Sequence, residues 1–372
     1  MKITSVEPFI IENPPPARGG SRWVIVKLTT DSGIEGVGEC SWHARQDHVY
    51  AALIRDLGDR YVLGANPFDI EKLCSTIYED HNVRHPGPIS TPVLSAIEMA
   101  CWDIVGKSVG QPVYNLLGGK CHERLRSYSY LSEFRLGEDP QITADLALSY
   151  VEEGYTAVKL DPVDVRTSGR LETLRYAANV IGAIRTAVGD RCDILIGTHG
   201  QFSTSSAIRF AKRIEEFDPL WFEEPVFPEN IKEMARVARS TSVPIATGER
   251  LLTKFPYAEL LERQAASIIQ MDLTITGGIL EAKKIAGMAE AYYAEIAPHM
   301  YGGPIGGAAA IQLDVCSPNF LIQEGIQKWD GFHGDLLMEP IQWEKGYIIP
   351  SERPGLGIEL NQAVLDKHAV KI

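Results

Sequence analysis

The sequence predicts an α/β protein: a (β/α) barrel capped by an α+β domain that the N-terminal region and the C-terminal tail build together. From about Arg124 onward, eight short apolar runs alternate with helical patterns, and several runs are continuously apolar, as strands buried on both faces are. Polar residues stand near the ends of these runs: Lys159, His199, Glu223, Glu249, Asp272, His299 and Glu324. From His199 onward the steps between them match, or fall slightly below, the roughly 30 residues that a strand, a helix and two loops take in such a barrel. All strands of a barrel end at one mouth. The spacing therefore predicts one site rich in carboxylates, with two histidines and a lysine.

The elements follow in order. ITSVEPFII and WVIVKLTT are β-branched and partly alternating, and a turn at Asp31-Ser32-Gly33 leads to a third strand, IEGVGE. Between the first two, NPPPARGGSR (Asn13 to Arg22) carries three prolines and two glycines and reads as a loop. Helical patterns follow in HVYAALIRDLGDRYV, DIEKLCSTIYED and TPVLSAIEMACWDIVGKSVG, the last with Thr91 as a cap before Pro92. The barrel strands are LRSYSYL, AVKLD, DILIGT, PLWFEE, PIATGE, SIIQMD, AEIAPH and NFLIQE. Domain limits are set at 1–122 for the cap, 123–326 for the barrel and 327–372 for a tail that returns to the cap.

At 372 residues the chain has room for a large domain plus a smaller one. The net charge of −13 and the lack of a Lys/Arg cluster argue against a nucleic-acid surface. The six cysteines are scattered without a CxxC pair, as in a reduced, cytoplasmic protein. The start MKITSVEPFII lacks the marks of a signal peptide, and no run is long and apolar enough to span a membrane.

Glu223 and Glu249 end adjacent strands, and carboxylate oxygens at a barrel mouth suit a hard cation such as Mg²⁺. The competing reading is an ion pair with Lys or Arg. Asp272 and His299 end the sixth and seventh strands. A carboxylate on one imidazole nitrogen sets the tautomer and raises the basicity of the other, which makes His299 a candidate general base rather than a core histidine.

The segments SAIEMACWDIVGKSVGQPVYNLLGG, AVKLDP, WFEEP, IATGER, IIQMDLTITGGI, IAPH and PGLGIEL resemble the enolase superfamily. Within it they are most similar to the mandelate racemase/muconate lactonizing enzyme branch, near acid-sugar dehydratases of galactonate-dehydratase type, with their modified TIM barrel. The resemblance runs in order over essentially the whole chain. It implies proton abstraction α to a carboxylate, with a divalent metal, Mg²⁺, holding the ene-diolate. It implies Glu223 and Glu249 as metal ligands, His299 with Asp272 as base dyad, and Glu324 as an acid beside the substrate carboxylate. Lys159 matches the first lysine of the family's KxK, and His199 a general acid on the departing hydroxyl. The lid loops correspond to Asn13–Arg22 and Ser41–Arg45, where Arg22 and His43 are substrate-binding candidates; Arg18 and Arg45 offer bonds to sugar hydroxyls or a distal carboxylate. A homo-oligomer acting on a small acid sugar is implied as well.

Two departures from that pattern matter. KxK is Lys159-Leu160-Asp161, so a two-base racemase lacks its second lysine. The family's D-x-H reads Gly197-Thr198-His199, so one metal aspartate is missing. Asp193 at the start of that strand is about 13 Å away at ~3.3 Å per residue. Asp161, from the neighbouring strand, is the candidate third ligand; water in its place, or loss of the metal, are the alternatives. The expected function is a metal-dependent aldonate dehydratase giving a 2-keto-3-deoxy acid. The alternatives are a cycloisomerase opening a lactone or anhydro-sugar ring, and a non-catalytic sugar-acid-binding barrel.

Overall fold

A computed structural model describes residues 1–40, 46–81, 86–164 and 166–371. The N-terminal strands β1 (Ile3–Glu12), β2 (Arg22–Thr30) and β3 (Glu35–Cys40) form an antiparallel meander. The helix Ser90–Val109 lies directly on it: a side chain at Gly36 or Gly38 would start 2.2 or 1.8 Å from the backbone oxygens of Ala100 and Ala96. Only glycine permits so close an approach of helix to strand. The Thr91 cap is a correction: the helix begins at Ser90, two residues before Pro92, no side chain caps it, and the Thr91 hydroxyl is buried without a partner.

Eight parallel strands follow: β4 (Leu125–Tyr130), β5 (Ala157–Leu160), β6 (Asp193–Ile196), β7 (Trp221–Glu223), β8 (Ile245–Thr247), β9 (Ile268–Ile269), β10 (Glu295–Ile296) and β11 (Gln323–Glu324). Each pairs with the next from β4 to β10. The circle closes because β11 pairs with β4 and Ile296 bridges to Phe320. All eight coincide with the apolar runs seen in the sequence, and β5 is buried at every position, as a strand between barrel interior and helical layer must be.

The tail divides between the two sheets. Strands β12 (Gln342–Glu344) and β13 (Tyr347–Ile349) form a hairpin that pairs with the first residues of β4, whereas β14 (Ala369–Val370) joins β1. The tail was expected to pack on the cap; β14 lies there, and the hairpin in addition extends the barrel sheet at β4. Among the described residues, no helix is long and apolar enough to cross a membrane.

Two buried carboxylates of the N-terminal region anchor it over the barrel. Glu98 accepts the backbone N–H groups of Ile279 and Leu280 at 2.7 and 2.8 Å, at the start of the helix Ile279–Ala291. Glu39 accepts those of Gly303 and Gly306 at 2.5 and 3.0 Å, at the start of the helix Pro304–Val315. A carboxylate at a helix N-terminus satisfies donors with no intrahelical partner and meets the positive end of the helix dipole. The second anchor holds the loop that follows His299.

That loop is clamped from a third side. The buried His333 donates from Nε2 to the Gly302 carbonyl at 2.8 Å and packs on Trp23. Burial holds its pKa down to about 4. For a histidine with a lowered folded pKa, stability is complete above the unfolded value of about 6.5 and is lost as pH falls towards 4. The loss attributable to this imidazole is about 3 kcal/mol. Urea titrations should show the stability gap between wild type and His333→Asn narrowing by that amount from pH 7 to pH 4. A constant gap would mean that the native imidazole charges freely.

Candidate active site

The strand ends converge on a cavity of about 630 Å³, suited to a small organic acid. Asp161, His199, Glu249, His299 and Glu324 line it. Lys159, Glu223 and Asp272 sit beneath and behind them, and all three are buried.

His299 is fixed by Asp272. Its Nδ1 lies 2.8 Å from Asp272 Oδ2, while Asp272 Oδ1 accepts both the amide and the hydroxyl of Thr274, at 2.8 and 2.6 Å. With that carboxylate occupied on both oxygens, Nδ1 is fixed as a donor to Asp272, and Nε2 is the ring nitrogen turned to the other side, towards Glu249. Nε2 lies 3.5 Å from Glu249 Oε2. Burial opposes a charge on the ring, but Glu249, Asp272 and Glu324 outweigh it and lift the pKa to about 10.

A second histidine–carboxylate pair stands in the same cavity. His199 Nδ1 lies 3.1 Å from Asp161 Oδ2, and that hydrogen bond is the main cause of a His199 pKa raised to about 9. Gly197 makes room for the pair. A Cβ at residue 197 would start 2.1 Å from Asp161 Oδ1, so the carboxylate from the neighbouring strand fills the space that a side chain there would enter. His199 itself has φ +48°, a left-handed conformation unusual for a residue with a Cβ. Arg250 Nη2 donates to its carbonyl at 2.9 Å and keeps it there.

Below these pairs, Lys159 Nζ lies 2.7 Å from Glu223 Oε1 and 3.6 Å from Glu324 Oε1. Desolvation disfavours the buried ammonium, but Glu223, Glu324 and Glu249 more than offset this and raise its pKa. Glu223 Oε2 accepts Gln270 Nε2 at 2.6 Å, and Glu324 Oε2 accepts the amide of Met300 at 2.9 Å. Among the described residues, no group of three or more His, Cys, Asp or Glu side chains is arranged to hold a metal ion as it stands, because Glu223 is turned to Lys159 and Gln270.

The donor set nonetheless suits a hard divalent cation. Asp161, Glu223 and Glu249 offer oxygen only, and Glu249 Oε2 is buried with no hydrogen-bond partner. The surrounding carboxylates draw both histidines towards the protonated form, which marks an excess of negative charge for a cation to offset.

Arg22 is not brought to the cavity. It opens β2 and pairs with Asp47 at 3.3 Å, at the surface. Arg18, four residues earlier on the same loop, lines the cavity in its place. His43 and the rest of Ser41–Arg45 lie outside the described residues. Sequence reasoning missed Gln270, which holds Glu223, and the pair formed by Glu224 and Arg250 Nε at 3.1 Å. Gln270 was open to discovery: it lies two residues before Asp272, and alternate strand residues face the same side.

Comparison with known proteins adds the following. The family model described as "Mandelate racemase / muconate lactonizing enzyme, N-terminal domain" matches residues 8–118. The model "Enolase C-terminal domain-like" matches residues 143–364. A D-gluconate/D-galactonate dehydratase of Picrophilus torridus is 35% identical over 374 residues, covering 98% of this chain and 93% of that protein. A D-xylonate dehydratase of Haloferax volcanii is 34% identical over 386 residues, covering 100% and 89%. The crystal structure of a mandelate racemase/muconate lactonizing enzyme from Sulfitobacter sp. superposes with a TM-score of 0.93 at 41% identity, covering 100% of this chain and 96% of that one.

Proposed function

The chain belongs to the mandelate racemase/muconate lactonizing enzyme family of the enolase superfamily, and on that premise we propose that it is a metal-dependent acid-sugar dehydratase. The observation that carries this reading is the presence of two histidine–carboxylate pairs in one cavity, His299 with Asp272 and His199 with Asp161. Elimination of water needs a base at one carbon and an acid at the leaving oxygen on its neighbour, and two separately braced imidazoles can divide those tasks.

In this reading His299 Nε2 takes the proton from C2 of an aldonate, and Asp272 stabilises the imidazolium that forms. The electron pair left at C2 forms the C2–C3 double bond as the C3 hydroxyl departs. His199 gives that hydroxyl its proton, and the enol product tautomerises to a 2-keto-3-deoxy acid. Lys159 and Glu324 flank the substrate carboxylate from the floor of the cavity. Glu249 and Asp161, joined by Glu223, would hold a divalent cation, with Mg²⁺ favoured by an all-oxygen set. When bound, such a cation supplies positive charge against the negative charge that develops on the substrate carboxylate.

The test is a panel of aldonates with detection of 2-keto acid, run alongside mass spectrometry. Loss of one water is the expected outcome. A product of unchanged mass would replace dehydration by ring opening of the cycloisomerase kind. A folded, Mg²⁺-supplied enzyme giving no product on any sugar acid would remove the reading.

A further inference from the structure

The outer part of the cavity is built differently from its floor. The floor carries buried carboxylates, Lys159 and the two histidine pairs. The outer part carries Arg18 and Arg135, with Glu133 and Gln327 beside them. The loop backbone that carries Arg18 is held in place before any ligand arrives. Asn13, buried, donates from Nδ2 to the carbonyls of Arg18 and Gly20 at 2.7 and 2.6 Å, closing the loop on itself. Trp23 Nε1 donates to the Gly19 carbonyl at 2.8 Å. The Arg18 guanidinium contacts the Gln327 amide oxygen on the far side of the opening, and Glu133 stands 3.9 Å away. Arg135 uses Nη1 to bind the carbonyls of Ser132 and Phe134 at 2.9 and 2.8 Å, and no carboxylate neutralises it among the described residues. Among the described residues, the outer cavity thus holds two guanidinium groups against one carboxylate, itself at the limit of ion-pair distance from Arg18.

We infer that Arg18 and Arg135 form a second anion subsite, so that the substrate is a sugar diacid of the aldarate class, with a carboxylate at each end. The inner carboxylate meets Lys159 and the reaction begins beside it; the outer one meets the arginines. A planar guanidinium fits a carboxylate through paired, charge-assisted hydrogen bonds, whereas the terminal hydroxyl of an aldonate offers one neutral bond. Asn13 and Trp23 fix the backbone that carries Arg18, which lowers the loop-ordering cost of that recognition. The assignment rests on the dehydratase reading only for the chemistry at the inner end.

The experiment compares kcat/KM for matched pairs, an aldonate and the aldarate of the same stereochemistry, with a 6-phosphorylated aldonate as a third arm. It is run in wild type, Arg18→Gln and Arg135→Gln, with Mg²⁺ present. Thermal shifts with the same ligands are measured in parallel on His299→Asn, with and without each arginine substitution. The expected result is an aldarate preference of tenfold or more in wild type that falls at least fivefold in either arginine variant, with the aldarate thermal shift reduced alongside. Arg135 is exposed, so its variant keeps the test open if Arg18→Gln folds poorly. Equal rates on aldonate and aldarate, or an aldonate preference, would overturn the subsite while leaving the dehydratase reading intact. Preference for the phosphorylated acid, lost in the arginine variants, would overturn the diacid assignment and leave the anion subsite standing. If no sugar acid turns over but an arginine-dependent aldarate shift persists, the subsite stands and the dehydratase reading falls. Absence of both would remove the subsite too.

Discussion

Replacing His299 by Asn is expected to lower kcat by about 10³- to 10⁴-fold, the upper range for removal of a general base. Asparagine can still donate a hydrogen bond towards Asp272, whose other oxygen stays bonded to Thr274, so the loss should be chemical rather than structural. The companion substitution, His199→Asn, separates the two proton transfers. It should block departure of the hydroxyl while the α-hydrogen still exchanges with D₂O, which NMR of recovered substrate reads directly. His299→Asn should lose both turnover and exchange. If His299→Asn kept exchange within tenfold of wild type, another group would be the base. The reverse pattern, in which His199→Asn also abolished exchange, would mean that the two imidazoles do not act on separate atoms.

The largest effect on stability is expected from Lys159→Met. The ammonium and both of its carboxylate neighbours, Glu223 and Glu324, are buried. Removing one partner of a buried pair strands the other charge, at a cost of about 3–5 kcal/mol. Glu223 would keep only its bond to Gln270. Adding Glu223→Gln to Lys159→Met should recover a large part of the loss, since a neutral amide does not need the cation. Urea unfolding in the presence of a chelator measures both variants without a contribution from bound metal. A single-variant loss under about 1 kcal/mol would show that Glu223 is already protonated in the native protein, and that the pair is not ionic.

Much of the barrel was legible because its signal is local. Continuous apolar runs such as AVKL and DILI, separated by amphipathic helices, carry their own period, and one polar residue after each run marks the mouth. The Asp272–His299 contact was also legible, since adjacent parallel strands bring their ends together. The pairing partners within the tail were not legible. The hairpin of β12 and β13 and the strand β14 are short segments whose partners, β4 and β1, lie far away in sequence, and nothing local distinguishes one sheet edge from another.

From the sequence alone came the candidate site residues and the expectation that they face one opening, because strand period and strand spacing are properties of the chain itself. Which group touches which was settled only by packing. Asp161 reaches His199 through the volume left by the missing side chain of Gly197, and Glu223 turns to Lys159 because a buried ammonium must find a carboxylate. Arg18 faces the cavity, and not Arg22, because Asn13 and Trp23 fold that loop back on itself. Such choices depend on empty volume and on distant hydrogen-bond partners, which a linear pattern of residues does not encode.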